Sequence, residues 1–330
     1  MVWRLTNALM PKAAGRNRLA PNLISVPNFG GNCKAGQQRT TVILRHFMLP
    51  SHSFYSLPEK LMDWPTIGYK LGLRTPKWHW RLMRWERAWR ETLRGGRAGG
   101  GAPATWAILA TNLITFSLMI IMGMAAGQGF RPFLNPDGYL LLHVGAQYWP
   151  LVLTEGEWWR CLTYAYTHGG LIHLAFNMMV LYQVGPAIEA EIGSLRFASL
   201  YTLTALTATA AAYFLYPIAP PVVGASGSLF GLIGFAITYY HRIGGPAAHN
   251  LRNYMLKWAA FSFIFGLLIG ADNAGHLGGA LGGAAIGAVL PQGIRGRRTM
   301  QPLFTALGWL CITATVASFV LLALSWGGGR

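Results

Sequence analysis

Seven apolar stretches of 16 to 24 residues lie between residues 104 and 326, separated by short polar connections. A helix needs about 20 apolar residues to cross the hydrocarbon core of a bilayer. Only 11% of the residues are charged, against about 25% in an ordinary soluble domain, so the chain cannot cover a water-facing surface. We therefore predict an all-α membrane protein with seven spans. The predicted spans are 104–126, 170–188, 196–216, 226–241, 254–270, 274–290 and 303–326.

Positive charge is concentrated before the first predicted span. Residues 1–103 hold 17 Lys and Arg against 4 Asp and Glu, whereas residues 104–330 hold 10 against 6. A basic head on an apolar body favours the anionic cytoplasmic face of a membrane over nucleic acid. The positive-inside rule then places the N-terminus in the cytoplasm. This pattern suits a bacterial inner membrane better than the mitochondrial inner membrane, which is the alternative.

The basic head divides into two parts. Residues 1–58 contain no acidic residue and no long apolar run, which predicts a disordered tail. Residues 75–94 place three tryptophans and two leucines on one helical stripe and five arginines opposite, as in a helix lying flat on anionic lipid. A solvated basic helix is the alternative. The predicted domains are a cytoplasmic extension (1–103), a helical core (104–290) and a basic loop with an additional C-terminal span (291–330).

Ser226 is a polar residue at the start of a predicted span. Three prolines at Pro217, Pro220 and Pro221 keep the preceding segment extended, so the helix is expected to begin near Ser226. Unpaired backbone N–H groups at a helix N-terminus can hold an oxyanion. The alternative is a simple helix-capping serine followed by a small-residue packing face, Gly227 and Gly231.

His276 lies in a ladder of glycines that recur every four residues, which allows another backbone to approach closely. The ladder consists of Gly275, Gly279, Gly283 and Gly287. If the helix that begins at Ser226 is the partner, the hydroxyl and the imidazole come within about 3 Å, the distance for base activation of a nucleophile. Neither helix carries a carboxylate and Asp272 precedes His276 in a loop, so we predict a Ser–His dyad. A structural hydrogen-bonding histidine is the alternative.

His173 and Asn177 are four residues apart and therefore share one helix face. Both side chains can donate hydrogen bonds to an oxyanion. His168 and His173 flank a short turn, which raises the possibility of zinc. Their spacing is not that of a zinc-binding H-E-x-x-H helix and no Glu lies between them, so we predict neither a metal nor another cofactor.

These motifs, taken in order, resemble the rhomboid family of intramembrane serine proteases. The matching pieces are Trp159–Arg160, His173 with Asn177, Gly185 with Glu189 and Gly193, Gly224–Gly227, and His276 with Gly279. The resemblance covers residues 104–290. It implies a six-helix rhomboid-like bundle, and the last span makes the fold a six-plus-one arrangement.

The resemblance also implies a role for each matched residue. Ser226 would be the nucleophile and His276 the general base. His173, Asn177 and the backbone N–H of Ser226 would form the oxyanion hole, and Gly224 and Gly227 would allow the tight backbone there. The remaining implied positions are Phe230 against the His276 ring, His168 beside the catalytic cavity, Trp159 and Arg160 in the long first loop, and Glu189 tying the cytoplasmic end of its helix to neighbouring backbone.

The expected function is therefore an intramembrane serine endopeptidase that cleaves transmembrane segments of membrane proteins. Its expected partners are those substrates and the lipid bilayer, with no nucleic acid, and the sequence predicts no particular oligomeric state. One alternative is a catalytically inactive rhomboid-like protein that binds or escorts membrane proteins, although such relatives usually lose the Ser or the His. The other is a small transporter with broken helices, which requires mid-membrane charges that these spans lack.

Overall fold

The computed structural model describes residues 101–215, 220–268 and 272–327, together with Met83, Arg84, Glu86, Arg87 and Arg90. Every element of regular structure in residues 101–327 that it describes is helical, apart from one isolated β-bridge. The helices are α1 (Pro103–Ala125), α2 (Arg131–Leu134), α3 (Gly138–His143), α4 (Trp149–Thr154), α5 (Arg160–Thr163), a 3-10 turn (Tyr164–Tyr166), α6 (Leu171–Ile192), α7 (Ser194–Leu215), α8 (Ser226–Ile243), α9 (Gly245–Leu268), α10 (Asn273–Val289), α11 (Ile294–Thr299) and α12 (Gln301–Ser325).

Seven of these helices are long and coincide with the seven predicted spans, with α9 beginning nine residues early. Within the described residues, four helices are both long and apolar enough to cross a membrane, namely α1, α6, α7 and α12. The 17-residue α10 is shorter, and α8 buries two-thirds of its residues against its neighbours. A helix surrounded by protein does not need the apolar surface that lipid demands, so hydropathy alone detects fewer helices than the bundle contains. The all-α, multi-pass architecture is confirmed.

The tightest packing in the bundle lies between α8 and α10, where backbone meets backbone. A Cβ added to Gly279 would lie 2.0 Å from the Gly227 carbonyl oxygen, and one added to Gly283 would lie 1.9 Å from the Gly231 oxygen. On α8, a Cβ on Gly234 would lie 2.2 Å from the Ala280 oxygen. The four-residue spacing of glycines on α10 therefore seats this helix directly on α8, because any larger side chain would hold the two apart.

The fully buried carboxylate of Glu189 connects the C-terminal end of α6 to the starts of α1 and α7. Glu189 accepts hydrogen bonds from the backbone N–H of Ala104 at 2.9 Å and of Thr105 at 2.7 Å, at the start of α1. It also accepts from the hydroxyl groups of Thr105 at 2.7 Å and Ser194 at 2.6 Å. Four donors satisfy the charge that burial would otherwise penalise, and two of them are N–H groups that the first turn of α1 leaves unpaired.

Most of the predicted amphipathic segment, 75–94, lies outside the described residues, as does the predicted tail, 1–58. The five described residues of the segment are helical. Arg90 forms an ion pair with Glu86, one turn earlier on the same helix.

The α8–α10 contact generates a stability prediction. Gly283→Ala should lower the free energy of unfolding by about 1–3 kcal/mol, because the new methyl group meets backbone that cannot rotate away. Thermal unfolding in detergent micelles measures the change. Ala285→Val enlarges an exposed side chain on the same helix and should leave the unfolding midpoint nearly unchanged. Equal midpoints for the two variants would contradict the tight seating of α10 on α8.

Candidate active site

The segment before α8 is extended and is held by hydrogen bonds on one edge. Val222 pairs with Gln147 of the first loop, each donating its N–H to the other's carbonyl, at 2.8 and 2.9 Å. The N–H of Gly224 donates to the carbonyl oxygen of Tyr164 at 3.0 Å. Gly224 has φ +122°, a conformation that L side chains rarely adopt. The chain thus reaches Ser226 from a fixed direction.

Ser226 is the first residue of α8, as predicted. The capping position is occupied by Ala225, and no side chain caps this helix. The simple capping alternative for Ser226 is therefore wrong, because Ala225 holds the capping position and the Ser226 hydroxyl contacts α10. Its Oγ lies 2.9 Å from Nε2 of His276.

His276 lies in the first turn of α10, which a carboxylate caps. Asp272 accepts a hydrogen bond from the backbone N–H of Gly275 at 3.0 Å through its side chain and one from the N–H of His276 at 3.1 Å through its carbonyl. The other ring nitrogen, His276 Nδ1, is buried and has no hydrogen-bond partner among the described residues. The Ser226–His276 pair is therefore a two-residue arrangement in this part of the chain, since Asp272 is engaged with the helix end.

An aromatic ring fixes the plane of the His276 imidazole. Phe230, one turn after Ser226 on α8, stacks on it with ring centroids 4.4 Å apart and planes 21° apart. Both side chains are buried. Because one helix supplies both the hydroxyl and the stacking ring, α8 orients the imidazole from two directions.

His173 and Asn177 approach the backbone two residues before Ser226. A Cβ built on Gly224 would lie 2.8 Å from Cε1 and Nε2 of His173 and 3.7 Å from Nδ2 of Asn177. The backbone N–H of Gly169 donates to Nδ1 of His173 at 3.4 Å, which leaves the ring proton on Nε2, on the Gly224 side. The Nδ2 group of Asn177 is buried and has no acceptor among the described residues. Two side-chain donors therefore face the approach to Ser226.

A cavity of about 720 Å³ lies beside Ser226, His276 and His173. Its lining includes His173, Gly224, Ser226, Gly227 and His276, together with the extended segment 220–223. His168 and Asn177 are not among the residues that line the cavity. His168 lies fully buried behind His173, with the two rings edge to face at 5.1 Å, and Asn177 lies one turn deeper on α6.

Three other predicted site residues lie away from the cavity. Trp159 precedes α5, and Arg160 is buried and pairs with Glu157 while it donates to two backbone carbonyls of the first loop. Glu189 is at the far end of α6, as described above. Arg160 and Glu189 thus stabilise the bundle through buried hydrogen bonds to backbone groups of other segments.

Several cavity residues were not identified from the sequence as belonging to the site, Tyr164 and Asp272 among them. Tyr164 donates its hydroxyl to the Ala205 carbonyl at 2.7 Å and lines the cavity, but it lies in a loop with no periodic relation to Ser226. Asp272 lines the cavity as well, and the Asp-x-x-Gly start of α10 is its only sequence signal.

Cys161, in α5, is buried, and burial raises the pKa of its thiol to about 11. The thiol therefore remains protonated at neutral pH.

The fold and the site define a helical, multi-pass membrane protein in which a serine hydroxyl and an imidazole meet beside an internal cavity. A family model described as the rhomboid domain matches residues 155–293. The putative rhomboid protease YdcA of Bacillus subtilis (strain 168) is 32% identical over 137 residues, which are 40% of this chain and 67% of that protein. The chain belongs to the rhomboid family.

Two further relatives place the match in context. Rhomboid protease GluP of Bacillus subtilis (strain 168) is 34% identical over 174 residues, which are 48% of this chain and 32% of GluP. RHOMBOID-like protein 6, mitochondrial, of Arabidopsis thaliana is 33% identical over 170 residues, 48% of this chain and 52% of the relative. The chain thus spans about a third to a half of the length of these two proteins.

The conformation of Gly224 generates the second prediction. Gly224→Ala should lower the free energy of unfolding by about 1–3 kcal/mol, since it combines an unfavourable φ with a clash against the His173 ring. The unfolding midpoint in detergent tests this. Gly169→Ala is the matched control, because its new methyl group would meet its nearest atoms at 3.6 and 3.7 Å, the latter from the same His173 ring. If Gly169→Ala destabilised the protein as much as Gly224→Ala, the strain at Gly224 would not be the cause.

Proposed function

We propose that this protein is an intramembrane serine endopeptidase that cleaves transmembrane segments of other membrane proteins with a Ser–His dyad. The observation that carries the proposal is the 2.9 Å contact between Ser226 Oγ and His276 Nε2, which faces a cavity inside a helical bundle. This is the distance at which a general base activates a hydroxyl nucleophile. The family assignment supports the same reaction, since the relatives GluP and YdcA are named as proteases.

In the proposed reaction, Ser226 Oγ attacks the scissile carbonyl carbon and its proton passes to Nε2 of His276. The imidazolium then gives this proton to the leaving amine as the peptide C–N bond breaks. In the second half of the reaction, water attacks the acyl-enzyme carbonyl while His276 takes a proton from it. The ester C–O bond then breaks, the imidazolium returns the proton to Ser226 Oγ, and the carboxylic product leaves.

We assign stabilisation of the tetrahedral oxyanion to donors that are already in place. These are Nε2–H of His173, Nδ2–H of Asn177 and the backbone N–H of Ser226 at the start of α8. Preformed donors in a site shielded from bulk water stabilise developing charge without reorganising. Asn177 is assigned the deeper position, since its Nδ2 is buried and lacks an acceptor among the described residues.

Irregular backbone at membrane depth requires a polar or protein surface on both sides. Segment 220–225 meets this condition, because it is bonded to the first loop on one edge and borders the cavity on the other. A substrate helix must unwind locally to present an extended peptide there. We further propose a six-plus-one topology in which all seven long helices span the membrane, with a catalytic core at 104–290, an accessory span after residue 291 and a cytoplasmic basic extension at 1–103.

Replacing the dyad tests the proposal directly. Ser226→Ala and His276→Ala should each abolish cleavage of a model transmembrane substrate in proteoliposomes, and Ser226→Ala should also abolish labelling by a fluorophosphonate. Ser228→Ala is the matched control, because its hydroxyl donates to the Tyr201 carbonyl at 2.9 Å and takes no part in the proposed chemistry. Turnover that persists without Ser226 or His276 would refute the dyad. A folded wild-type protein that neither cleaves nor reacts would favour the inactive, escorting alternative.

The oxyanion assignment predicts a separate kinetic effect. Asn177→Ala should lower kcat by roughly 10- to 1000-fold with little change in KM, because the lost hydrogen bond forms only as the oxyanion develops. Steady-state cleavage of the model substrate gives both constants. Asn112→Ala, another fully buried asparagine, whose Nδ2 donates to the Ile108 carbonyl on α1, should affect stability more than kcat. An unchanged kcat in Asn177→Ala would exclude the assigned role.

A further inference from the structure

We infer that the last helix, α12, is a brace that positions the approach to Ser226, and that Trp326 is its contact residue. The family match ends at residue 293, so neither the match nor the proposed reaction assigns α12 a role. The inference concerns how the segment before Ser226 is held in place. It can be tested whether or not the protein proves to be a peptidase.

Six consecutive carbonyl groups of the first loop, from Leu142 to Gln147, each accept a hydrogen bond from a residue outside the segment 142–147. Arg160 binds two of them, Thr163 and Thr167 bind one each, and Trp326 supplies the bond to His143. The distances are 2.6 Å to Leu142, 2.7 Å to His143, 3.0 Å to Val144, 2.8 Å to Gly145, 2.9 Å to Ala146 and 2.8 Å from the Val222 N–H to Gln147. A loop whose backbone is fixed at each residue has very little freedom to shift.

Trp326, the capping residue directly after the last residue of α12, is the donor in this row that α12 positions. Its indole N–H donates to the His143 carbonyl at 2.7 Å, and its ring stacks on the His143 imidazole with centroids 5.5 Å apart and planes 21° apart. Leu322, one turn earlier, is buried and lies against Gly145, where an added Cβ would be 2.9 Å from its Cδ2. Phe319 meets Tyr166 edge to face at 5.4 Å. One face of α12 therefore lies along the first loop.

The other end of α12 is fixed to α7. Gln301 accepts a hydrogen bond from Arg196 Nη2 at 2.7 Å, and the Arg196 guanidinium lies over the Phe304 ring at 4.7 Å. A Cβ on Gly308 would lie 2.6 Å from Cβ of Leu195, so the two helices are in direct contact there. Held in this way at its start, α12 presents Trp326 to the loop from a rigid support.

The braced loop leads directly to the site. Gln147, four residues after His143, is paired with Val222 through two backbone hydrogen bonds, and Ser226 follows four residues later. Releasing His143 removes one fixed point of the row and lets the Gln147–Val222 pair open more often. The contacts form a continuous physical path from Trp326 to the segment before Ser226, which is the condition for energetic coupling between separated positions.

Hydrogen–deuterium exchange of the full-length protein in nanodiscs tests the brace. Trp326→Ala should raise the exchange rates of peptides that cover 141–148 and 220–226 by roughly 3- to 10-fold, the change expected when a single hydrogen bond is lost. Trp326→Phe keeps the ring but not the N–H and should give a smaller increase. Trp309→Ala is the matched control, because Trp309 lies within α12 and has the same 39% exposure as Trp326, and it should leave both peptides unchanged.

The inference would be overturned by no change in these peptides in Trp326→Ala, or by an equal increase in Trp309→Ala. Faster exchange throughout the protein in Trp326→Ala would also overturn it, since that outcome means general destabilisation. Fluorophosphonate labelling of Ser226 gives an independent second readout and should slow in Trp326→Ala but not in Trp309→Ala. If the wild-type protein shows no labelling, the proposed peptidase function fails while the exchange result still decides the brace.

Discussion

The structure depends on the direct approach of two backbones, those of α8 and α10. Glycines at both faces let carbonyl oxygens of one helix occupy the space that side chains of the other would fill. The separation of the two helix axes sets the distance between Ser226 and His276, which stand one on each helix near its first turn. The proposed proton transfer depends on this separation, because a hydroxyl and an imidazole held further apart cannot exchange a proton.

The polar groups of the bundle are arranged so that backbone ends and charged side chains satisfy one another. Glu189 accepts hydrogen bonds from N–H groups at the start of α1, and Asp272 caps α10. Arg160 donates hydrogen bonds to carbonyls of the first loop. Arg242 donates to the Gly287 and Leu290 carbonyls at the far end of α10, at 2.8 and 3.0 Å. In lipid, no water is present to form hydrogen bonds with an unpaired backbone group. These side chains therefore stabilise the bundle by pairing with such groups. The groups around Ser226 remain as the polar surface of the cavity.

Sequence periodicity predicted the helical elements and the central pair well. The start of α8 at Ser226 was predicted because three prolines precede it, and the contact of α10 with α8 followed from the spacing of its glycines. The depth of Asn177 and His168 was not predictable, because helical spacing gives the face of a side chain and not which neighbour covers it. The contacts of Tyr164 and Trp326 were not predictable for a related reason. Their partners are backbone carbonyls distant in sequence, and such contacts produce no pattern in the amino-acid sequence.

The stacking of Phe230 on His276 has a further electrostatic consequence. In the proposed reaction, the His276 imidazole would accept a proton from Ser226 and become a cation, and its second nitrogen has no hydrogen-bond partner among the described residues. The face of an aromatic ring carries partial negative charge and attracts a cation within about 6 Å of its centroid. At 4.4 Å, the Phe230 ring lies within this range and would attract the imidazolium of the proposed reaction, without the cost of desolvating a carboxylate.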